Sequence, residues 1–193
     1  MNQYNLNDQV NLIISALKDS LNEKRNIIVA IDGPCASGKT TLAQALKNTL
    51  DCNVIPVDDF FLQPHQRTQK RLNTTGGNFD KERLLNEVLE PLKNGTDFTY
   101  RPYDCKSGTL SEPISIKAKS ITLVEGVYSL HPDLSAYYDF CIFVKTDKQT
   151  QLERLKKRNH LILSRFISEW IPMEEKYFST FSIEEKCNFI VTT

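Results

Sequence analysis

A chain of 193 residues is long enough for one α/β domain with a sizeable core. Its 24 basic and 24 acidic side chains give a formal net charge of zero, which speaks against a nucleic-acid surface as its main contact. The five cysteines (Cys35, Cys52, Cys105, Cys141, Cys187) are odd in number and contain no C-x-x-C pair, which favours reduced thiols over a disulfide framework or thiolate metal site. No apolar run reaches membrane-spanning length, and residues 1–25 lack a signal-peptide core, so the cytoplasm is the expected setting.

Residues 6–24 predict an amphipathic helix. Leu6, Val10, Ile13, Ile14, Leu17 and Leu21 share one stripe, with Asp8, Asn11, Lys18 and Asp19 elsewhere. Residues 27–31 are a short β-branched run that reads as a buried strand. The strand runs into Gly33-Pro34-Cys35-Ala36-Ser37-Gly38-Lys39-Thr40, which fits G-x-x-x-x-G-K-[ST], the phosphate-binding P-loop. Leu42, Ala45, Leu46 and Leu50 follow at helical spacing. The two glycines let the backbone curl so that several N–H groups point into one concavity, and the helix start adds its positive dipole end. Lys39 is then expected to reach the β- and γ-phosphates and the Thr40 hydroxyl to ligate Mg²⁺, with Thr41 completing the nucleotide-binding stretch. Cys35 stands at a helix N-terminus, where a thiol pKa is expected to fall and alkylation to block ATP binding.

Residues 54–57 predict a second strand ending in Asp58-Asp59-Phe60-Phe61. Ligands of open α/β sheets sit beyond the carboxyl ends of strands, which places Asp58 to hold Mg²⁺ through water or to accept a proton from an attacking hydroxyl. A turn carboxylate is the plainer alternative for it. Residues 62–79 are polar, carry Pro64 and Gly76-Gly77, and lack periodicity, as functional segments often do. Leu84, Leu85, Val88, Leu89 and Leu92 predict a helix with Pro91 near its end and Gly95 beyond it. Around Lys106-Ser107-Gly108, residues 98–103 and 113–116 read as a hairpin flap. Its aromatic and cationic side chains suit a planar or anionic ligand and suit ordinary surface packing equally.

Residues 121–124 predict a buried strand ending in Glu125-Gly126, where an acid neighbouring the magnesium is expected. Residues 140–144 form the next strand, and Asp147 caps a helix with Leu152 and Leu155 facing inward. Arg154, Lys156, Lys157 and Arg158 are either its solvated face or lid cations that offset transition-state charge. Residues 164–181 suggest a helix interrupted at Pro172, and residues 188–191 a last strand. His65, His131 and His160 are dispersed without an i,i+4 pair and read as surface or loop histidines.

Over residues 26–192 the set resembles the uridine kinase and phosphoribulokinase group of P-loop kinases. The likeness is carried by Ile31-Asp32-Gly33, Val57-Asp58-Asp59-Phe60-Phe61, Asn78-Phe79-Asp80, Arg101-Pro102-Tyr103-Asp104, Val124-Glu125-Gly126 and Ile142-Phe143-Val144. It implies one P-loop kinase domain over residues 1–193, an α/β three-layer fold. In that fold a five-stranded parallel sheet, in the order 2-3-1-4-5, lies between helices, with a hairpin flap over about 96–117 and a short lid over about 154–165. It further implies that Asp58 is the general base and that Lys39, Arg154 and Arg158 serve the triphosphate. Phe61, Phe79, Asp80, Arg101 and Tyr103 would hold the acceptor, and Thr40, Glu125 and Asp58 the metal. The chain differs from the family at Asp59 (serine there), Phe61 (tyrosine) and Gly108 (histidine), and its lid continues as the apolar Leu161-Ile162-Leu163 with Arg165 the one following arginine.

The expected function is an ATP- and Mg²⁺-dependent kinase acting on a hydroxyl of a small molecule. Uridine or cytidine is favoured by Asn78-Phe79-Asp80 and Tyr103. Another hydroxyl substrate (pantothenate, glycerate or a sugar) is favoured by Phe61 and Gly108, and an NTP-dependent regulatory protein is the third reading. The expected partner is the small acceptor, with no nucleic acid and no membrane, and a homo-oligomer is left open.

Overall fold

The computed structural model describes residues 6–158 and 160–193. Helix α1 (Leu6–Ser20) buries Val10, Ile13, Ile14 and Leu17 of its predicted stripe. Fully burying side chains such as Ile13 and Leu17 stabilises the fold by about 1.5–3 kcal/mol each. Strand β1 (Ile27–Asp32), helix α2 (Lys39–Thr49) and strand β2 (Cys52–Pro56) follow. A 3-10 turn (Val57–Phe60), a second one (Pro64–Gln66) and α3 (Gln69–Asn73) then organise the polar segment. Next come α4 (Lys81–Leu84), a π-helical turn (Leu85–Leu89) and α5 (Glu90–Lys93).

The flap consists of β3 (Phe98–Tyr100), β4 (Tyr103–Asp104), β5 (Thr109–Leu110) and β6 (Ile114–Ile116), with β3 antiparallel to β6 and β4 to β5. The rest of the chain adds β7 (Ile121–Glu125), β8 (Phe140–Lys145), α6 (Lys148–Arg158) and α7 (Leu163–Arg165). A π turn (Phe166–Trp170), α8 (Ile171–Phe181) and β9 (Phe189–Thr192) complete it. Asp147 caps α6 by accepting the Thr150 N–H at 2.9 Å. Leu155 is buried beneath that helix, but Leu152 is 38 % exposed, so one of its two expected inward leucines faces outward. No helix among the described residues is long and apolar enough to cross a membrane.

The central sheet is parallel throughout, in the order β2-β7-β1-β8-β9, which among its five strands is 2-3-1-4-5. Every residue of β1 is buried because both faces of the sheet are covered. Ile27, Val29 and Ile31 join α1 and α2 on one side, while Ile28 and Ala30 join Phe60, Phe79 and Tyr177 on the other. That two-residue alternation is why the strand reads as an unbroken apolar run.

The two prolines inside predicted helices are absorbed by the same device. The N–H of Glu90 donates to the Leu85 carbonyl, and that of Ile171 to the Phe166 carbonyl, each five residues back. The wider π turn precedes Pro91 and Pro172, rings that have no N–H to give and would crowd a regular helix.

The carboxyl ends of neighbouring strands therefore deliver the P-loop after β1, Asp58 after β2 and Glu125 at the end of β7.

Candidate active site

The loop after β1 is built on two backbone demands. Gly33 has φ of +141°, and a Cβ there would lie 2.1 Å from the Val144 carbonyl oxygen of β8. Gly38, with φ of +101°, is the left-handed residue that starts α2. Lys39 is buried, and its Nζ donates to the carbonyl oxygens of Gly33 at 2.7 Å and Pro34 at 2.8 Å, so the loop itself holds the ammonium across its mouth. Ser37 is fully buried, and its hydroxyl oxygen has no partner among the described residues.

Asp32, fully buried at the end of β1, is a fastening point that its motif position did not reveal. It accepts the N–H groups of Gly33 (2.7 Å), Tyr128 (3.2 Å) and Leu130 (3.0 Å), and the Tyr177 hydroxyl (2.9 Å). It thus ties the P-loop to the segment after β7 and to α8. Burial pushes its carboxyl up to about 6, against the pull of these donors and of Lys39. The folded value lies above the ordinary 3.8, so the native state keeps the extra proton between the two values. The Asp32 contribution to stability therefore falls by roughly 2–3 kcal/mol as pH rises from about 4 to 6. Asp32→Asn is expected to flatten this part of the pH–Tm profile. A slope over pH 4–6 equal to that of the unsubstituted chain would contradict it.

The Thr40 hydroxyl donates to Glu125 Oε1 at 3.0 Å. Burial pushes the Glu125 carboxyl up and the Asp58 charge adds to this, while Thr40, Lys39 and Arg158 pull it down. These five groups therefore share one electrostatic neighbourhood. A hydroxyl and a carboxylate side by side are hard oxygen donors that suit Mg²⁺, which needs only one or two protein ligands when phosphates supply the rest.

The expected fall in the Cys35 thiol pKa is overturned. Its N–H donates to Glu174 Oε2 at 2.8 Å, and its carbonyl accepts the Gln151 amide at 2.9 Å. Burial, then the neighbouring Glu174 carboxylate, push the thiol up to about 12, which outweighs any lowering from the helix start and leaves it un-ionised at neutral pH. Arg154 reaches the loop from behind, with Nη1 donating to the Ala36 carbonyl at 3.3 Å and to Thr193 Oγ1 at 2.9 Å.

On the acceptor side, Asp58 is exposed and, among the described residues, accepts no hydrogen bond and forms no ion pair. Its neighbour Asp59 accepts the Tyr100 hydroxyl at 2.9 Å and links this turn to the flap. Phe61 meets Tyr103 edge-on, with ring centroids 6.5 Å apart. Phe79 lies in the core, stacked on Tyr128 at 5.6 Å. Asp80 is also fully buried: Oδ1 caps α4 at the Arg83 N–H and Oδ2 accepts the Gln66 amide at 2.7 Å. Arg101 braces the flap through the carbonyls of Ser111 and Leu110.

Sequence reasoning missed Arg67. Its Nη2 donates to the Tyr103 hydroxyl and its Nε to the Leu62 carbonyl, both at 3.0 Å, and it forms no ion pair among the described residues. Its charge and that of Asp58 both reach Cys105 of the flap. No periodicity or motif marks Arg67, and its place beside Tyr103 depends on the fold.

A parallel sheet with a P-loop at β1 and acids at the ends of the next two strands to one side, β7 and β2, is the layout of a P-loop kinase. The profile of the phosphoribulokinase / uridine kinase family matches residues 28–160, and the chain belongs to that family. It is a phosphotransferase that acts on a hydroxyl group. A uridine kinase of Halalkalibacterium halodurans is 32 % identical over 145 residues, covering 70 % of this chain and 68 % of that one. Uridine-cytidine kinase B of Dictyostelium discoideum is 29 % identical over 163 residues, covering 80 % and 67 % respectively. Among solved structures, one described as a possible uridine kinase from Bacillus stearothermophilus superposes with a TM-score of 0.72. It covers 97 % of this chain and 100 % of its own at 22 % identity, a likeness of fold.

Proposed function

We propose that this chain transfers the γ-phosphoryl group of ATP to a hydroxyl of a small acceptor, with a pyrimidine nucleoside as the leading candidate. The observation that carries the reading is the convergence of Lys39, the Thr40–Glu125 pair and Asp58 at the ends of three adjacent strands. Magnesium bound with the nucleotide would neutralise part of the charge on its phosphates, with Thr40 and Glu125, and Asp58 through water, as the protein groups that hold it. Lys39 exchanges its two loop carbonyls for phosphate oxygens. Asp58, exposed and unengaged, accepts the proton of the attacking hydroxyl. Arg154 and Arg158 screen the charge that spreads over the transferring group, in a lid over about 154–165. Because that transition state is loose, positioning and charge stabilisation supply most of the acceleration.

The nucleoside reading is supported by the names of the relatives and by the aromatic edge pair of Phe61 and Tyr103, which offers a wall for a planar base. Asp80 is fully buried, so it would receive a sugar hydroxyl only by exchanging its Gln66 bond for it, while Phe79 supports it from the core. A second reading, an acceptor with a carboxylate or other anionic group, is favoured by Arg67, a cation without an acidic partner beside Tyr103. The flap over about 96–117 belongs with the rest of the chain in one kinase domain, for which the cytoplasm is the proposed location.

The test is an ADP-release assay with magnesium across uridine, cytidine, pantothenate, glycerate and sugars, with product mass as confirmation. ADP formation that rises only when one acceptor is added supports the reading. ATP binding without any acceptor-dependent turnover would overturn it in favour of a nucleotide-regulated protein.

A further inference from the structure

Away from the P-loop, a cavity of about 260 Å³ opens between α3 and the start of α4, with His131 at its inner wall. Its other donors are Thr68, Lys70, Arg71 and Lys81. We propose that this cavity is an oxyanion site, separate from the nucleotide cradle, that takes the phosphate or carboxylate group of a small molecule.

The inner wall argues most strongly. His131, expected from sequence to be a surface or loop residue, is only 5 % exposed. Its Nδ1 accepts the Asp133 N–H at 3.3 Å, so in the neutral ring the proton sits on Nε2. That Nε2–H has no acceptor among the described residues, although the ring is fixed by Phe79, Tyr177 and Phe181 at centroid distances of 5.9, 6.5 and 5.7 Å. The ring is held in one direction and Nε2 still reaches solvent, so a ligand oxygen entering the cavity would replace water as its acceptor.

The charge around the cavity has the matching sign. Arg71 pairs with Glu82 and Lys81 with Asp133, while the Lys70 ammonium has no hydrogen bond or ion pair among the described residues. The Asp80 charge also reaches Arg71, so three carboxylates stand near three cations, and Lys70 is the one of these cations left without a bonded partner among the described residues. The geometry sorts them too: the Glu82 and Asp133 side chains are 51 % and 59 % exposed, whereas those of Arg71 and Lys81 are 25 % and 21 % exposed. The acids thus stand toward solvent and the cations toward the cavity. Thr68 Oγ1 accepts the Arg71 N–H at 3.2 Å, which leaves its own proton to donate inward. A neutral imidazole N–H, a hydroxyl and an unpaired ammonium around a small cavity match a tetrahedral or planar oxyanion rather than a cation.

Occupancy would also be felt next door. Arg71 donates to the carbonyls of Gly77 and Phe79, and His131 packs on the Phe79 ring, so a bound anion would steady the stretch leading into Asp80.

The test uses the full chain with Lys39→Ala, so that phosphate does not occupy the P-loop. Inorganic phosphate replaces chloride at constant ionic strength while the imidazole ¹⁵N–¹H correlations are followed, with His65→Gln and His160→Gln identifying the other two signals. The same titration on the unsubstituted chain, its P-loop saturated with ADP and magnesium, guards against a misfolded variant. The expected result is a saturable shift of the His131 signal, with affinity lowered about tenfold or more by Lys70→Ala. Parallel titrations with methyl phosphate and acetate tell a phosphate monoester from a carboxylate by which binds more tightly, and saturation by either supports the site. Absence of saturation with all three probes, or Lys70→Ala curves that superimpose on those without it, would overturn the proposal. Turnover is not part of the readout, so this failure would leave the kinase reading standing.

Discussion

Asp58→Asn is expected to lower kcat by about 10²–10⁴-fold, the usual worth of a positioned proton acceptor, while leaving the KM for ATP nearly unchanged. Asparagine keeps the shape and loses the basic oxygen, so the acceptor hydroxyl must attack with its proton still held. The variant is well suited to the question because the native carboxylate is exposed and, among the described residues, makes no hydrogen bond or ion pair that the substitution could break. Its Tm should therefore stay close to that of the unsubstituted chain, the change in stability being about 0.5 kcal/mol or less. The same substitution removes a negative charge that pushes the Glu125 carboxyl upward, so Glu125 should ionise more readily and the metal dependence should not weaken through it. A variant with normal kcat on the acceptor found by the ADP-release assay would remove Asp58 from the chemistry. A fall in ATP affinity as large as the fall in kcat would instead assign it to holding the nucleotide's metal.

What could be seen in the sequence was whatever is specified by neighbours along the chain. The β-branched run of β1, the glycines of the P-loop and the acid that closes β7 each declare themselves within about ten residues, because strand propensity, turn chemistry and motif spacing are local. The sheet order followed from the resemblance, and Pro172 was visible as an interruption and Pro91 as lying near a helix end, although the π turns before them were not. What stayed hidden depends on distant segments. The Tyr177 hydroxyl meets Asp32 across 145 positions, and Glu174 meets the Cys35 N–H across 139. Those contacts reverse the expectation for the Cys35 thiol, since a local helix start promised ionisation and tertiary burial prevents it. His131 is of the same kind: nothing along the chain announces that three aromatic rings will enclose it. Arg67 and Asp80 exchange emphasis for that reason too. The motif drew attention to Asp80, which the fold commits to Gln66 and the α4 cap, while the unremarked Arg67 is the cation left beside Tyr103.

Gly33→Ala is expected to lower Tm by on the order of 10 °C and to abolish the stabilisation that ATP and magnesium confer on the unsubstituted chain. Two costs combine. With φ at +141°, Gly33 occupies a conformation that an L side chain adopts only under strain, worth about 1–3 kcal/mol. The added Cβ would also fall 2.1 Å from the Val144 carbonyl oxygen, and making room costs about 1–3 kcal/mol more. Val144 cannot yield cheaply, since β8 is hydrogen-bonded to β1 on one side and β9 on the other, with Val144 in register with Val191. The loop must move instead. Its Gly33 carbonyl holds Lys39 and its Gly33 N–H is held by Asp32, so displacement there moves the ammonium and the fastening carboxylate together. Gly95→Ala separates the two costs: φ is +67° there, but no atom lies within 4 Å of the added Cβ. It should show backbone strain alone, about 1–2 kcal/mol, and keep its nucleotide response. If Gly33→Ala melted no lower than Gly95→Ala and still gained stability from ATP and magnesium, the close approach of β8 would not be what shapes the phosphate loop.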